Sequence, residues 1–297
     1  MNDRSIPSLS VGMPVYNSAA WLETSISSLL AQTYGDFELI VSDNASNDGT
    51  VDLCARLAAQ DRRIRFVRQP RNIGANRNYL AVQRLARGQY FKWAASNDWC
   101  APTFLQRCVA ALENDSAAVL ATPLAYTFEQ DLRDARPYEF ELELNADSAV
   151  DRFRQYFLQT SGLNNAMNGV LRTAVLQSCQ PLGVFGQADI VLMAELAMHG
   201  KFVQVRERLF YRRIAPAAAT SFRTPREAEL HLAPESRAPL RWQRWKYHWN
   251  IVRAVARTIP FGTQQLRALE FALRSMYWAR RELIADVRQG LFAGENR

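Results

Sequence analysis

Four short β-prone runs alternate with helical spacings through the first hundred residues, and this alternation constrains the fold more than any other feature. Ser8 to Val15 is apolar and stops at Pro14, with Tyr16-Asn17 as the turn. Trp21 to Gln32 carries Leu22, Ile26, Leu29 and Leu30 at helical spacing. Phe37 to Ser42 (FELIVS) is a continuous run, as expected for a parallel strand covered on both faces. Residues 43–50 are dense in turn and capping types, with Asp48 or Thr50 as N-cap of a helix from Val51 to Gln60. Ile64 to Arg68 is a third strand. The turn Asn72-Ile73-Gly74-Ala75 leads into a helix over Asn76 to Ala86, ended by Gly88. Gln89 to Ala94 is the fourth strand and runs into Ser96-Asn97-Asp98. Such a β-α-β-α-β-α-β series predicts a Rossmann-like, mostly parallel sheet flanked by helices, with ligands at the carboxyl ends of its strands.

The rest of the chain is less regular. A strand-like Val119 to Tyr126 is followed by an acidic loop and a helix over Ser148 to Gln159. A polar stretch (SGLNNAMNG), a strong helix over Ala188 to His199, the strand KFVQV and the basic LFYRR come next. Residues 223–235 are rich in Pro, Glu and Arg and read as a linker. Beyond Pro239 two amphipathic helices are expected, separated by Pro260-Phe261-Gly262. The chain therefore divides at the sequence level into 1–115, 116–222 and a helical extension over 223–297.

The formal net charge of +7 is unevenly placed. Residues 1–222 hold 22 basic and 22 acidic side chains, whereas 223–297 hold 14 and 7. Residues 1–222 thus lack the excess a polyanion-binding surface would carry, no nucleic-acid partner is expected, and any basic partner surface belongs to the C-terminus. The N-terminus MNDRSIPSLS lacks a basic stretch followed by an apolar one, so no signal peptide is expected. No apolar run reaches the roughly 18–20 residues of a membrane span. The four cysteines form no CxxC pair and read as reduced, buried thiols of a cytoplasmic protein.

The chemistry-bearing residues fall at strand ends: Asp43 after the second strand, Asn97-Asp98 after the fourth. Carboxylates and amides there suit a nucleotide, one accepting from a base N–H, another binding ribose hydroxyls, another holding a divalent cation. For any one of them alone, a turn or capping role is the better account. Taken in order, MPVYN at 13–17, LLAQTYGDFELIVSDNASNDGT at 29–50, NIGANRN at 72–78 and KWAASNDW at 92–99 resemble the family 2 glycosyltransferases of bacterial cell-surface polysaccharide synthesis. The resemblance covers roughly residues 8–215 and implies a glycosyltransferase-A fold, a nucleotide-sugar donor, a divalent cation (Mn2+ or Mg2+) and inversion at the anomeric carbon. It implies that Pro14 and Tyr16 shape the base pocket and that Asp43 accepts from the base. It also implies that Arg77 lies near the diphosphate or base, and that Asp98 coordinates a metal bridging the diphosphate. Asn97 stands where the motif usually has an acidic residue, as does Ala95; an amide there can accept from a ribose hydroxyl but adds no charge for a metal. Replacing Asp98 by Ala is expected to abolish transfer with little effect on folding.

The segment GVFGQADIVLMAELAMHGKFVQVRERLFYRR at 183–213 resembles the part where the family keeps its catalytic base, at Asp189. Inverting transfer needs a carboxylate to take the acceptor proton. An acid at a helix start is also favoured by the macrodipole, and both roles are compatible. Glu195 reads as structural. Asn168-Gly169-Val170-Leu171-Arg172 resembles the acceptor segment, in which Gly169 opens space beside the donor sugar. Arg212-Arg213 either close a loop on the diphosphate or form a solvated pair, with Arg213 taken as the acceptor-side residue. The histidine that relatives place just after this pair is missing, since Ile214-Ala215-Pro216 follow. In the tail, Trp242, Trp245, Trp249, Val252, Ala256 and Ile259 form one stripe with arginines beside it. That suits an anionic membrane surface, a packed helix or a dimer contact.

The leading expectation is an inverting glycosyltransferase using a saccharide or lipid-linked acceptor, cytoplasmic and peripheral at the inner face of the membrane. The alternative is a catalytically inactive nucleotide-sugar-binding or assembly protein with the same fold. A dinucleotide-dependent oxidoreductase is disfavoured because no GxGxxG follows the first strand. A sugar nucleotidylyltransferase would want a Gly-rich, basic loop there. Uridine and dTDP donors both remain open.

Overall fold

The computed structural model describes residues 6–139, 141–160, 164–214, 224–237 and 240–292. The alternating N-terminal pattern folds as β1 (Leu9–Val15), α1 (Ala19–Leu30), β2 (Phe37–Asp43), α2 (Thr50–Gln60), β3 (Ile64–Arg68), α3 (Ala75–Leu85) and β4 (Tyr90–Trp93). These four strands pair in parallel in the order β3-β2-β1-β4, with Val15 beside Asp43 at the carboxyl edge. Every residue of β1 and β2 is buried, because helices cover both faces of the sheet. Alternate side chains feed opposite layers: Leu39 and Val41 pack with α1 and α2, and Ile40 joins the other core. Asp48 is shared by two helix starts. Its Oδ2 accepts the Ala19 N–H at 3.1 Å, and its Oδ1 accepts both the N–H and the hydroxyl of Thr50. The loops after β1 and β2 are thereby fastened together.

The second half is built differently. It contains β5 (Trp99–Cys100), α4 (Phe104–Asn114), β6 (Ala118–Phe128), β7 (Arg136–Tyr138), α5 (Ala149–Gln159) and β8 (Val170–Arg172). α6 (Thr173–Ser178), α7 (Ala188–His199) and β9 (Lys201–Arg213) complete it. The sheet continues past β4 as β8-β6-β9-β5, with β7 on β6. β8 is antiparallel to both β4 and β6, whereas β6 and β9 run parallel over their whole length. KFVQV and LFYRR are one continuous strand, not two segments. α7 is buried on nearly all sides, between α5 and the C-terminal helices.

The segment expected as a linker contains α8 (Pro225–Leu232), whose Thr224 hydroxyl accepts the Glu227 N–H at 3.1 Å. Proline at the first helical turn behind a threonine cap is a helix-start signature, which the Pro- and charge-rich composition obscured. α8 packs on α3, and the Leu232 carbonyl would lie 2.2 Å from a Cβ at Gly74. Three helices follow instead of the expected two: α9 (Gln243–Thr258), α10 (Thr263–Trp278) and α11 (Arg280–Phe292). The chain breaks at 259–262 as expected. The buried face of α9 is His248, Ile251, Ala254 and Val255, a rotation away from the tryptophan stripe. Packing against α7 selected the aliphatic positions, and Trp249 remains exposed. Among the described residues no helix is long and apolar enough to cross a membrane. All four cysteines are free and buried, as expected.

Candidate functional site

At the carboxyl edge of the parallel strands the loops after β1, β2 and β3 are tied together by a lattice of short polar side chains. Asp43 ends β2 fully buried, and its two oxygens accept the Ser46 N–H at 3.3 and 3.1 Å. Ser46 Oγ in turn accepts the Asn17 N–H at 2.8 Å, and Asn17 Oδ1 accepts the Asn47 N–H at 3.1 Å. Asn44 reaches the turn after β3, donating to Asn72 Oδ1 and accepting from the Ile73 N–H, both at 2.8 Å. Pro14 lies in register with Ser42, and Tyr16 projects 46% exposed just beyond β1. A flat aromatic ring beside a rigid, buried carboxylate can receive a nucleobase by stacking and by an N–H donated to Asp43. Arg68 Nε stands 3.7 Å from Asp43. Arg77 sits exposed in the first turn of α3.

Asp98 follows β4 and is 8% exposed. Its Oδ1 accepts the backbone N–H of Arg213 at 2.9 Å, which fastens the end of β9 to the loop after β4. Burial pushes its carboxyl up to about 6, against the pull of that N–H and of the Arg212, Lys92 and Arg213 charges. Lys92 lies in β4, fully buried, with Nζ donating to the Trp93 and Asn168 carbonyls. It stands 4.4 Å from the Phe104 ring centroid, and burial lowers its pKa. Arg213 is likewise part of the framework. Its guanidinium donates to the carbonyls of Asn97, Glu129 and Gln130 and is sandwiched 3.9 Å from Trp21 and 4.4 Å from Phe128. These bonds and stacked rings engage the guanidinium that was expected on the acceptor side.

A divalent cation wants several hard oxygen donors, preferably charged. Around Asp98 the structure offers one carboxylate with an oxygen already engaged, the neutral Asn97 and Ala95, and three cations. By this count these residues do not fit a protein-held divalent cation. Among the described residues the one group of three metal-ligating side chains is Cys179, Glu195 and His199. There Arg257 Nε already stands 3.7 Å from the buried Glu195 carboxylate, which also accepts the Gln180 N–H at 2.9 Å. Glu195 therefore ties α7 to α9, as its structural reading expected.

Asp189 lies in the first turn of α7, half-buried. Asn164 Nδ2 donates to its Oδ2 at 2.9 Å. The next residue, Asn165, accepts from Arg212 Nη1 at 2.8 Å. Burial, with the charges of Asp98 and Asp189, pushes the Tyr79 hydroxyl of α3 up to about 12 against the opposing pull of Arg212. The bonds of the Arg213 N–H to Asp98, of Arg212 to Asn165 and of Asn164 to Asp189 thus link distant parts of the sequence. Gly169 closes the 3-10 turn Asn165–Asn168, where a Cβ would meet the Ala121 carbonyl at 2.7 Å. Its missing side chain serves the close approach of β8 to β6.

Tyr79, Lys92, Asn164 and Asn165 were not singled out as site residues from the sequence, whereas Arg212 was, in the pair Arg212-Arg213. The asparagine-rich NNAMN run was the available signal for two of them. Tyr79 and Lys92 gave none, since one reads as an ordinary helix residue and the other as a charge inside a strand.

A family model described as Glycosyl transferase family 2 matches residues 10–176. The chondroitin synthase of Escherichia coli is 23% identical over 256 residues, 82% of this chain and 34% of that protein. The hyaluronan synthase of Pasteurella multocida is 23% identical over 227 residues, 73% of this chain and 21% of that one. The chain therefore spans about a third or less of the length of these synthases. The crystal structure of S. aureus TarS 1-349 in complex with UDP-GlcNAc superposes with a TM-score of 0.64 at 14% identity, covering 96% of this chain and 81% of that one. That likeness shows a common glycosyltransferase-A architecture, a mixed sheet flanked by helices.

Proposed function

The chain belongs to glycosyl transferase family 2, and on that premise we propose that it is an inverting transferase that moves a sugar from a nucleoside diphosphate sugar to a saccharide or lipid-linked acceptor. The observation that carries this reading is the run of hydrogen bonds between Asp98 and Asp189: the Arg213 N–H on Asp98, Arg212 on Asn165, and the adjacent Asn164 on Asp189. Asp43 and Tyr16 receive the base at the same carboxyl edge, and the binding of UDP-GlcNAc by the structural neighbour supports a uridine donor. Asp189 takes the proton of the acceptor hydroxyl as that oxygen attacks the anomeric carbon opposite the leaving diphosphate. The Asn164 amide holds one carboxylate oxygen and leaves the other for the acceptor. Because the Asp98 surroundings do not fit a protein-held cation, no step is routed through a metal.

Trp245, Trp249, Leu273 and Trp278 stay exposed on the C-terminal helices, within the segment that holds the positive excess. This supports peripheral docking on an anionic membrane at its cytoplasmic face, where a lipid-linked acceptor is presented. A second reading, a nucleotide-sugar-binding protein without turnover, is favoured by Asn97 and Ala95 in the acidic motif. A screen of UDP- and dTDP-sugars for transfer and for binding separates the two. Transfer from any donor supports the first, and binding without turnover across the screen supports the second. Paired Trp249→Glu and Leu273→Glu substitutions should release the protein from phosphatidylglycerol vesicles. Unchanged partitioning would remove the membrane assignment.

A further inference from the structure

The cation-rich surroundings of Asp98 have a function of their own. Resting on the reading of this cleft as a nucleotide-sugar site, we propose that the charge developing on the leaving diphosphate is met by the guanidinium of Arg212, without a divalent cation held by the protein.

The argument is one of charge and availability. The charges acting on Asp98 are those of Arg212, Lys92 and Arg213, so among the described residues the local balance around this carboxylate is positive. Such a field repels a dication and attracts a diphosphate. Two of the three cations are unavailable for contact. Lys92 is sealed beneath the sheet edge, its ammonium bonded to two carbonyls among Phe104 and Phe210. Arg213 is held by three carbonyls between Trp21 and Phe128. Arg212 differs. It is half-buried, and among the described residues it has no carboxylate at ion-pair distance and one side-chain hydrogen-bond partner, the neutral Asn165 Oδ1. A guanidinium retains four further N–H donors after one such bond, arranged to take phosphate oxygens in pairs.

The neighbouring residues also fix where that guanidinium stands. The Asp98 bond to the Arg213 N–H pins the backbone beside it, and the Asn165 bond aims its side chain. Asp98 is in this account a positioning residue for Arg212. Asn165 adjoins Asn164, which holds the base Asp189, so leaving-group charge and acceptor proton are handled from one short turn. The bond changes balance without a metal. The anomeric carbon–oxygen bond to the diphosphate breaks and its electron pair stays on the diphosphate oxygen. The acceptor oxygen bonds to that carbon, and its proton passes to Asp189. Arg212 exchanges no proton and acts by charge and hydrogen bonding alone.

The test is calorimetric titration of the full chain with UDP and with uridine, in millimolar EDTA and again in MnCl2. The expected result is UDP affinity in EDTA within about threefold of that in manganese. Arg212→Gln should weaken UDP at least tenfold and leave uridine unchanged, with Arg212→Lys intermediate. UDP binding only in manganese would overturn the proposal while leaving the nucleotide-sugar reading intact. Metal-free binding that is indifferent to Arg212→Gln in a variant with wild-type thermal unfolding would also overturn it. If neither UDP nor dTDP binds under any condition, the functional reading falls and the proposal falls with it.

Discussion

The backbone N–H of Arg213 donates to the buried Oδ1 of Asp98 at 2.9 Å, joining the last sheet strand to the loop that follows β4. This bond makes Asp98 a structural acceptor as well as a site residue, so Asp98→Ala is no longer expected to leave folding unaffected. Asp98→Asn keeps an oxygen for the Arg213 N–H and removes the buried charge, whereas Asp98→Ala leaves that donor unpaired. The alanine variant should be less stable than the asparagine variant by about 1–3 kcal/mol in urea unfolding. Equal stabilities would mean that the bond contributes nothing.

Stability should also carry the signature of this carboxyl. Its pKa is raised from 3.8 to about 6 in the folded chain, so between these values the folded state binds more protons than the unfolded state. Its contribution therefore falls as pH rises through that window and is level above it. The difference amounts to roughly 3 kcal/mol across the window. Subtracting the Asp98→Asn curve from the wild-type curve over pH 3.5–7 (about that range suffices) should isolate a negative slope; a flat difference would contradict the burial of the charge.

Arg212 and Arg213 are adjacent yet should separate cleanly. Arg213→Ala removes three carbonyl bonds and a guanidinium stacked between two rings, and should cost about 2–4 kcal/mol. Arg212→Ala should cost under about 1 kcal/mol. Thermal unfolding of the two variants decides the matter, and a larger loss for Arg212 would reverse the assignment.

Asp189→Asn should lower the transfer rate by about 10²–10⁴-fold with donor affinity retained. Asn164→Ala frees the carboxylate to rotate and should lower kcat on the order of tenfold with little change in donor KM. Wild-type kcat in Asp189→Asn would remove it as the base.

Gly169→Ala forces a methyl group to within 2.7 Å of the Ala121 carbonyl, a backbone atom that cannot swing away. A destabilisation of about 1–3 kcal/mol is expected, read as a lowered Tm. An unchanged Tm would show that the turn before β8 has slack.

Much of the molecule is written in local sequence. Hydrophobic period and turn chemistry marked β1 to β4 within a residue or two, and the helix over Ala188–His199 coincides with α7, because those signals depend only on near neighbours. The residues at the strand ends were legible for the same reason: parallel strands place their carboxyl ends on one edge whatever the rest of the chain does. What the sequence could not supply was pairing between distant segments. β5 is two residues long and exists only because Trp99 and Cys100 find Tyr211 and Phe210 of β9. The tryptophan stripe of α9 has a sound helical period, yet packing on α7 buried a neighbouring face, since period fixes a helix but not its rotation against a partner. The same distinction governs Asp98. Its place after β4 followed from the sequence alone. Only the tertiary structure set Arg212 and Arg213 around it and buried its carboxylate amid cations, because that charge balance depends on contacts that span more than a hundred residues.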